Sequence, residues 1–121
     1  MIWLYTACAI STLTLVAHVN GGGQSIAKPV LESDLEAEPK YASYYCWHMV
    51  TIVIAFMACA FLLSALSIAS LDLAIAATML ALLFAIWSIA LTIWKKQKIM
   101  TLPQWILFLP IAITGFLGVV Q

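Results

Sequence analysis

Residues 14–54 read TLVAHVNGGGQSIAKPVLESDLEAEPKYASYYCWHMVTIVI, and this stretch decides how the chain is organised. It holds four of the five acidic residues, two of the five lysines and both histidines, while the sequence on either side is almost wholly apolar. A polar stretch entered and left by long hydrophobic segments reads as the turn of a helical hairpin set in a membrane. His18 and His48 are then expected to face each other near its mouth.

The composition outside this stretch agrees. A chain that is 65% hydrophobic and 8% charged lies far from the roughly 25% charge of soluble domains, so a single integral membrane domain over residues 1–121 is expected. Zero net charge and the absence of arginine remove the basic footprint that nucleic-acid binding requires, and that class is excluded. Cys8, Cys46 and Cys59 cannot all pair with one another, and Cys8 and Cys59 lie in apolar runs where a free thiol behaves as a small hydrophobe. No disulfide framework is implied.

Crossing about 30 Å of hydrocarbon takes roughly twenty apolar residues at 1.5 Å each. Residues 2–19, 41–69, 73–94 and 103–120 meet that length. Backbone amides in lipid must be satisfied within their own segment, and four strands cannot close a barrel. The sequence therefore predicts an all-α, four-transmembrane-helix bundle with a short amphipathic segment between the first and second helices. No lysine or arginine precedes the first apolar run and no small-residue cleavage site follows it, so residues 2–19 are expected to be a spanning helix rather than a signal peptide.

All five lysines fall in residues 20–40 and 95–102, and none in the connection Ser70-Leu71-Asp72. This bias predicts that both lysine-bearing loops are cytoplasmic and both termini outside, as for a protein of the bacterial inner membrane. Tyr44, Tyr45 and Trp47 then sit in an aromatic belt at the cytoplasmic interface. Gly21, Gly22 and Gly23 are expected to end the first helix by taking positive φ. Lys28-Pro29 is expected to keep the loop extended, and Ser33 with Glu36 has the form of a capping box that starts a short surface helix. Small residues recur along the third segment at Ala74, Ala77, Ala81, Ala85 and Ser88, and Ala55, Ala58, Ala65 and Ala69 offer a matching stripe on the second, which predicts close packing of those two helices. Gly115 and Gly118 predict another close approach.

The candidate site lies on the first two helices. Tyr44, Tyr45, His48, Thr51 and Ile52 share one helical face that continues to Ala55 and Cys59, and Cys8, Ser11, Thr14 and His18 are spaced alike on the first helix. Antiparallel alignment of the histidines puts Thr14 level with Ile52, Ser11 with Ala55, and Cys8 near Cys59. One reading makes His18 and His48 structural, bonded to carbonyls, tyrosines or each other. A second makes them axial ligands of haem b, although directly packed helices leave only about 8–10 Å between axes, too little for a porphyrin. A third gathers His18, Cys46, His48 and Met49 around copper, or the imidazoles around zinc, although Cys46 and His48 point to different faces. The remainder is lipid, quinone or small-molecule binding. Asp34, Glu36 and Glu38 read as a solvated face, and no nucleophile motif is present. No ionisable group lies in the apolar cores, which disfavours ion-coupled transport.

Ala17-His18, an amphipathic linker, and Tyr44-Tyr45-Cys46-Trp47-His48 opening an apolar helix together resemble the small four-helix membrane proteins related to transmembrane protein 256. Members of that group carry an AHGL-like motif after the first helix and a YxMYHAL-like motif at the start of the second. The likeness covers the first half of the chain, with Val19-Asn20 standing where the group has Gly-Leu. The group is of unknown function, so the resemblance implies the four-helix fold and the pairing of His18 with His48, and no reaction. The expectation is a small structural or accessory protein, a subunit or assembly partner in an inner-membrane complex, with no cofactor predicted and enzymatic activity left open; the alternative is a haem- or metal-binding membrane redox protein using His18 and His48. Its partners are then the bilayer and other membrane subunits or a second copy.

Overall fold

A computed structural model describes residues 1–121, and every regular element in it is helical. Helix α1 covers Ile2–Ala17 and continues without a break through a π-helical segment, His18–Ala27, into the short α2, Lys28–Leu31. Helices α3 (Ala37–Ala65), α4 (Leu71–Trp94) and α5 (Gln104–Val120) follow. Three helical runs, Ile2–Leu31, Ala37–Ala65 and Leu71–Trp94, are long and apolar enough to cross a membrane, and Gln104–Val120 is apolar but shorter.

The helices alternate in direction. Met1, Ser67, Leu71 and Gln121 meet at one end, whereas His18, Trp47, Thr101 and Gln104 meet at the other, which also carries the lysines. Helix α1 packs against α3 and α5, and α5 packs most extensively on α4. The core is built from Leu4 and Ala7 of α1, Ile54, Met57, Ala60 and Phe61 of α3, the alanines of α4, and Phe108 and Ile111 of α5.

Several expectations change here. The glycines do not end the first helix: none of them has positive φ, and the helical run passes through them to Leu31. Glycine permits a stop without dictating one, and a helical glycine forfeits only roughly 0.5–1 kcal/mol relative to alanine, which the continued helical hydrogen bonds offset. Side chains also bond back along the segment, Asn20 Nδ2 donating to Val16 O and Ser25 Oγ to Gly21 O. The left-handed conformation is taken instead by Ser67 (φ 57°) and Lys96 (φ 52°), which close α3 and α4. At each, an amide one residue on reaches back five residues, Ile68 to Leu63 and Gln97 to Thr92, as in a Schellman ending.

The linker shrinks accordingly. Lys28 and Pro29 are helical, because a proline in the first turn has no amide to lose. Ser33 Oγ donates to Val30 O rather than capping a helix, so no surface helix forms over 33–36. Helix α3 starts at Ala37, with Pro39 in its first turn. The alanine stripe of α4 is buried as expected, Ala74, Ala77 and Ala81 at 0% exposure, but it packs chiefly on α5 and less on α3. The face that α3 buries is Ile54, Met57, Ala60, Phe61, Ser64 and Ala65, so of the expected stripe Ala65 is buried while Ala55, Ala58 and Ala69 are half-buried. Gly115 is what allows α5 to approach: a Cβ there would collide with Thr78 Oγ1 and lie 3.0 Å from the Phe61 ring. At Gly118 a Cβ would stand 2.5 Å from Leu4 Cδ2 and 3.1 Å from the Leu4 amide nitrogen.

Candidate functional site around His18 and Trp47

The site sits where the π-helical segment meets the first half of α3. Trp47 and Thr51 are four residues apart, so they lie one above the other on the face of α3 that meets His18. His18 and Trp47 stack with ring centroids 3.9 Å apart and planes 13° from parallel. Nε2 of His18 lies 3.1 Å from Thr51 Oγ1 and 3.3 Å from Trp47 O, and Thr51 Oγ1 itself donates to Trp47 O at 3.2 Å. Gly22 completes the arrangement. A Cβ at that position would collide with the outer edge of the Trp47 indole, so only glycine lets the indole lie against the π-helical backbone. Gly21 and Gly23 meet nothing within 4 Å.

Of the residues singled out from sequence, the structure brings together His18, Thr51 and Gly22, with Trp47 as the centre of the group. It does not bring in His48. That side chain is exposed, one residue around the helix from Trp47, and its ring stands edge-on to Tyr44 with centroids 4.6 Å apart. No hydrogen bond joins the two imidazoles. The alignment in depth is sound, because the 47–51 turn brackets residue 48, but the face presented to α1 is the neighbouring one. Cys46 and Met49 are exposed beside His48, Tyr45 is also exposed, and no three His, Cys, Asp or Glu side chains come together in a metal-binding group. The four residues suggested for soft-metal ligation are thus spread over different faces, and His18 Nε2 is already engaged.

A cavity of about 520 Å³ opens beside the stacked pair, between the π-helical segment, α3 and the start of α5. Its wall includes His18, Trp47, Val50, Gln104 and Phe108. The connection from α4 to α5 that covers it is held by Ser88, whose Oγ donates to Leu102 O at 2.9 Å and accepts from the Trp105 amide at 3.3 Å. Trp105 Nε1 donates to Ile99 O of the same connection.

Sequence reading gave Trp47 only a place in the aromatic belt and Ser88 only a place in a small-residue stripe. A signal for Trp47 exists in its four-residue spacing to Thr51. Nothing local points to Gln104 or Phe108, which reach the cavity by tertiary packing alone. No family model, no curated protein and no solved structure matches this chain.

Proposed function

We propose that this chain is a four-span integral protein of the bacterial inner membrane that serves as a small accessory subunit, with the His18–Trp47–Thr51 group clasping its first two spans at the cytoplasmic face. The observation that carries the reading is where the apolar surface lies. Only 23 of 121 residues are buried, far too few to hold such a chain in water. The outward faces of all four helices are apolar, with Ile52 at 68% exposure, Leu83 at 56% and Phe116 at 59%. A surface of that kind is matched by lipid or by neighbouring apolar helices.

The lysines support the orientation, since all of them lie at the His18 end, and the resemblance of the first half to proteins related to transmembrane protein 256 supports the four-span reading. His18 is engaged with groups of α3, as a structural histidine would be.

Two measurements test this. Thiol labelling from each side of the membrane, with Gln24→Cys and Gln121→Cys in a background lacking the native cysteines, should mark Gln24→Cys from the cytoplasm and Gln121→Cys from outside. Mild-detergent extracts run on native gels should show the chain in assemblies larger than its own micelle. A Soret band, stoichiometric metal, or cytoplasmic labelling of Gln121→Cys would overturn the reading.

A further inference from the structure

Beyond the structural clasp, the His18 end contains space of a particular chemistry. The cavity of about 520 Å³ beside His18 adjoins a second of about 290 Å³. They share Val50, Gln104 and Phe108 in their walls. The second lies between Val50 of α3 and Phe84, Trp87 and Leu91 of α4, where the α3 and α4 faces make the fewest contacts of the four neighbouring pairs. Together they have the size of small-molecule sites, which run from roughly 300 to 1,000 Å³.

The polar groups are uneven between the two. No charged side chain lines either cavity. The outer one offers Ser88, already committed to Leu102 O and the Trp105 amide. The inner one has His18, Ser25, Thr101 and Gln104 in its wall, and Ser25 is committed to Gly21 O. For His18 the hydrogen-bond geometry fits the Nε2–H tautomer, since a bare Nε2 would face the Trp47 carbonyl oxygen at 3.3 Å as acceptor against acceptor. Thr51 uses its hydroxyl proton on Trp47 O, so Nε2 can satisfy both Thr51 Oγ1 and Trp47 O only by carrying the ring proton. Nδ1 is then a bare acceptor. It has no partner in the protein, and since no buried side-chain nitrogen or oxygen is left unpartnered, Nδ1 retains open surface in a ring that lines the cavity.

An uncharged lining disfavours an ion, because a charge removed from water without a counter-charge is costly. A lone acceptor calls for a donor, and the apolar outer cavity calls for an apolar body. We propose that the two cavities together bind a neutral amphiphile with a hydroxyl-bearing head. The hydroxyl donates to His18 Nδ1, the Gln104 carboxamide bonds to a head-group oxygen, and the apolar remainder lies past Val50 and Phe108 toward Phe84. Membrane quinols and acylglycerols share this head chemistry.

The test uses the purified full chain in nanodiscs, titrated with tetramethylhydroquinone and with dioctanoylglycerol. Tetramethylbenzoquinone and trioctanoylglycerol, which lack a hydroxyl, are the controls. Tryptophan fluorescence reports occupancy, since Trp47 and Trp87 line the two cavities. Saturable binding of one hydroxyl-bearing probe is expected, and which one binds identifies the source. The hydroxyl-free counterpart should bind about 3- to 10-fold more weakly, the span of one neutral hydrogen bond. His18→Gln, whose amide nitrogen can keep the donor to Thr51 while deleting Nδ1, should lose the same factor. Val50→Trp, which fills the shared waist, should abolish saturable binding, with near-UV ellipticity checking that the His18–Trp47 stack is kept. Equal affinity for probes with and without the hydroxyl, no saturable binding of either hydroxyl-bearing probe, or binding that survives Val50→Trp would overturn the proposal.

Discussion

The glycine triplet offers the sharpest test of the fold, because its three members should respond differently to the same added methyl group. Gly21 and Gly23 have negative φ and open space where a Cβ would go. Replacing either by alanine therefore removes only the entropic cost of a helical glycine, and should stabilise the protein by about 0.5–1 kcal/mol. Gly22→Ala gains the same backbone term but drives a methyl group into the Trp47 indole, with Cζ2 3.0 Å from the new carbon. If the indole stays, overpacking costs about 1–3 kcal/mol. If it swings out, the stacked contact with His18 goes, worth about 0.5–1.5 kcal/mol for an aromatic pair, together with the packing of the indole against the π-helical segment. Either route outweighs the backbone gain, so Gly22→Ala should fall about 1–3 kcal/mol below Gly21→Ala. Unfolding in mixed micelles, followed by far-UV circular dichroism, measures all three against the parent, and near-UV ellipticity follows Trp47. A glycine triplet that stopped the helix through positive φ would behave otherwise, with every alanine variant destabilised. Equal losses at the three positions would refute the continuous helical path.

Three further outcomes follow from the packing. His18→Ala should cost about 1–3 kcal/mol because it strips Thr51 and Trp47 of their partner, while His48→Ala, at an exposed position, should stay within about 0.5 kcal/mol; comparable losses in chemical denaturation would restore the histidine pair. Ala81→Leu places extra volume on the buried face of α4 and should destabilise by about 1–3 kcal/mol, against no change for Leu83→Ile on the exposed face, as read by thermal unfolding in detergent. Lys96→Gly relieves a non-glycine residue held at positive φ and should raise stability by about 0.5–1 kcal/mol; a loss in the same assay would show that the side chain of Lys96 matters more than its backbone.

The candidate site was half legible. Placing His18 level with residue 48 needed only the rise of two antiparallel helices, and the depth agrees with the contact to Thr51. The choice of face needed more, since one residue turns a helix by about 100°, and that turn separates Trp47 from His48. What decides it is fit. The edge of the indole can lie against the π-helical segment only because Gly22 has no Cβ, and a complementarity between residues 25 positions apart has no local signature. The small-residue stripe of α4 shows the same division: its spacing declares which face is buried, but the close approach of α5 to it depends on Gly115, where a Cβ would collide with Thr78.

Sequence alone determined that the chain is helical, roughly where its apolar helices fall and the polar character of one end, because these depend on where apolar runs and charge are placed along the chain; the fourth run, expected to be of spanning length, forms the shorter helix Gln104–Val120. It did not determine where the first helix ends, since a glycine is compatible with either path and the saving of backbone hydrogen bonds selects the helical one. Only tertiary structure decided that Trp47 rather than His48 meets His18, that α4 lies chiefly on α5, and that His18 lines a cavity. Those outcomes rest on the presence or absence of single atoms between distant segments, and such contacts exist only once the helices have packed.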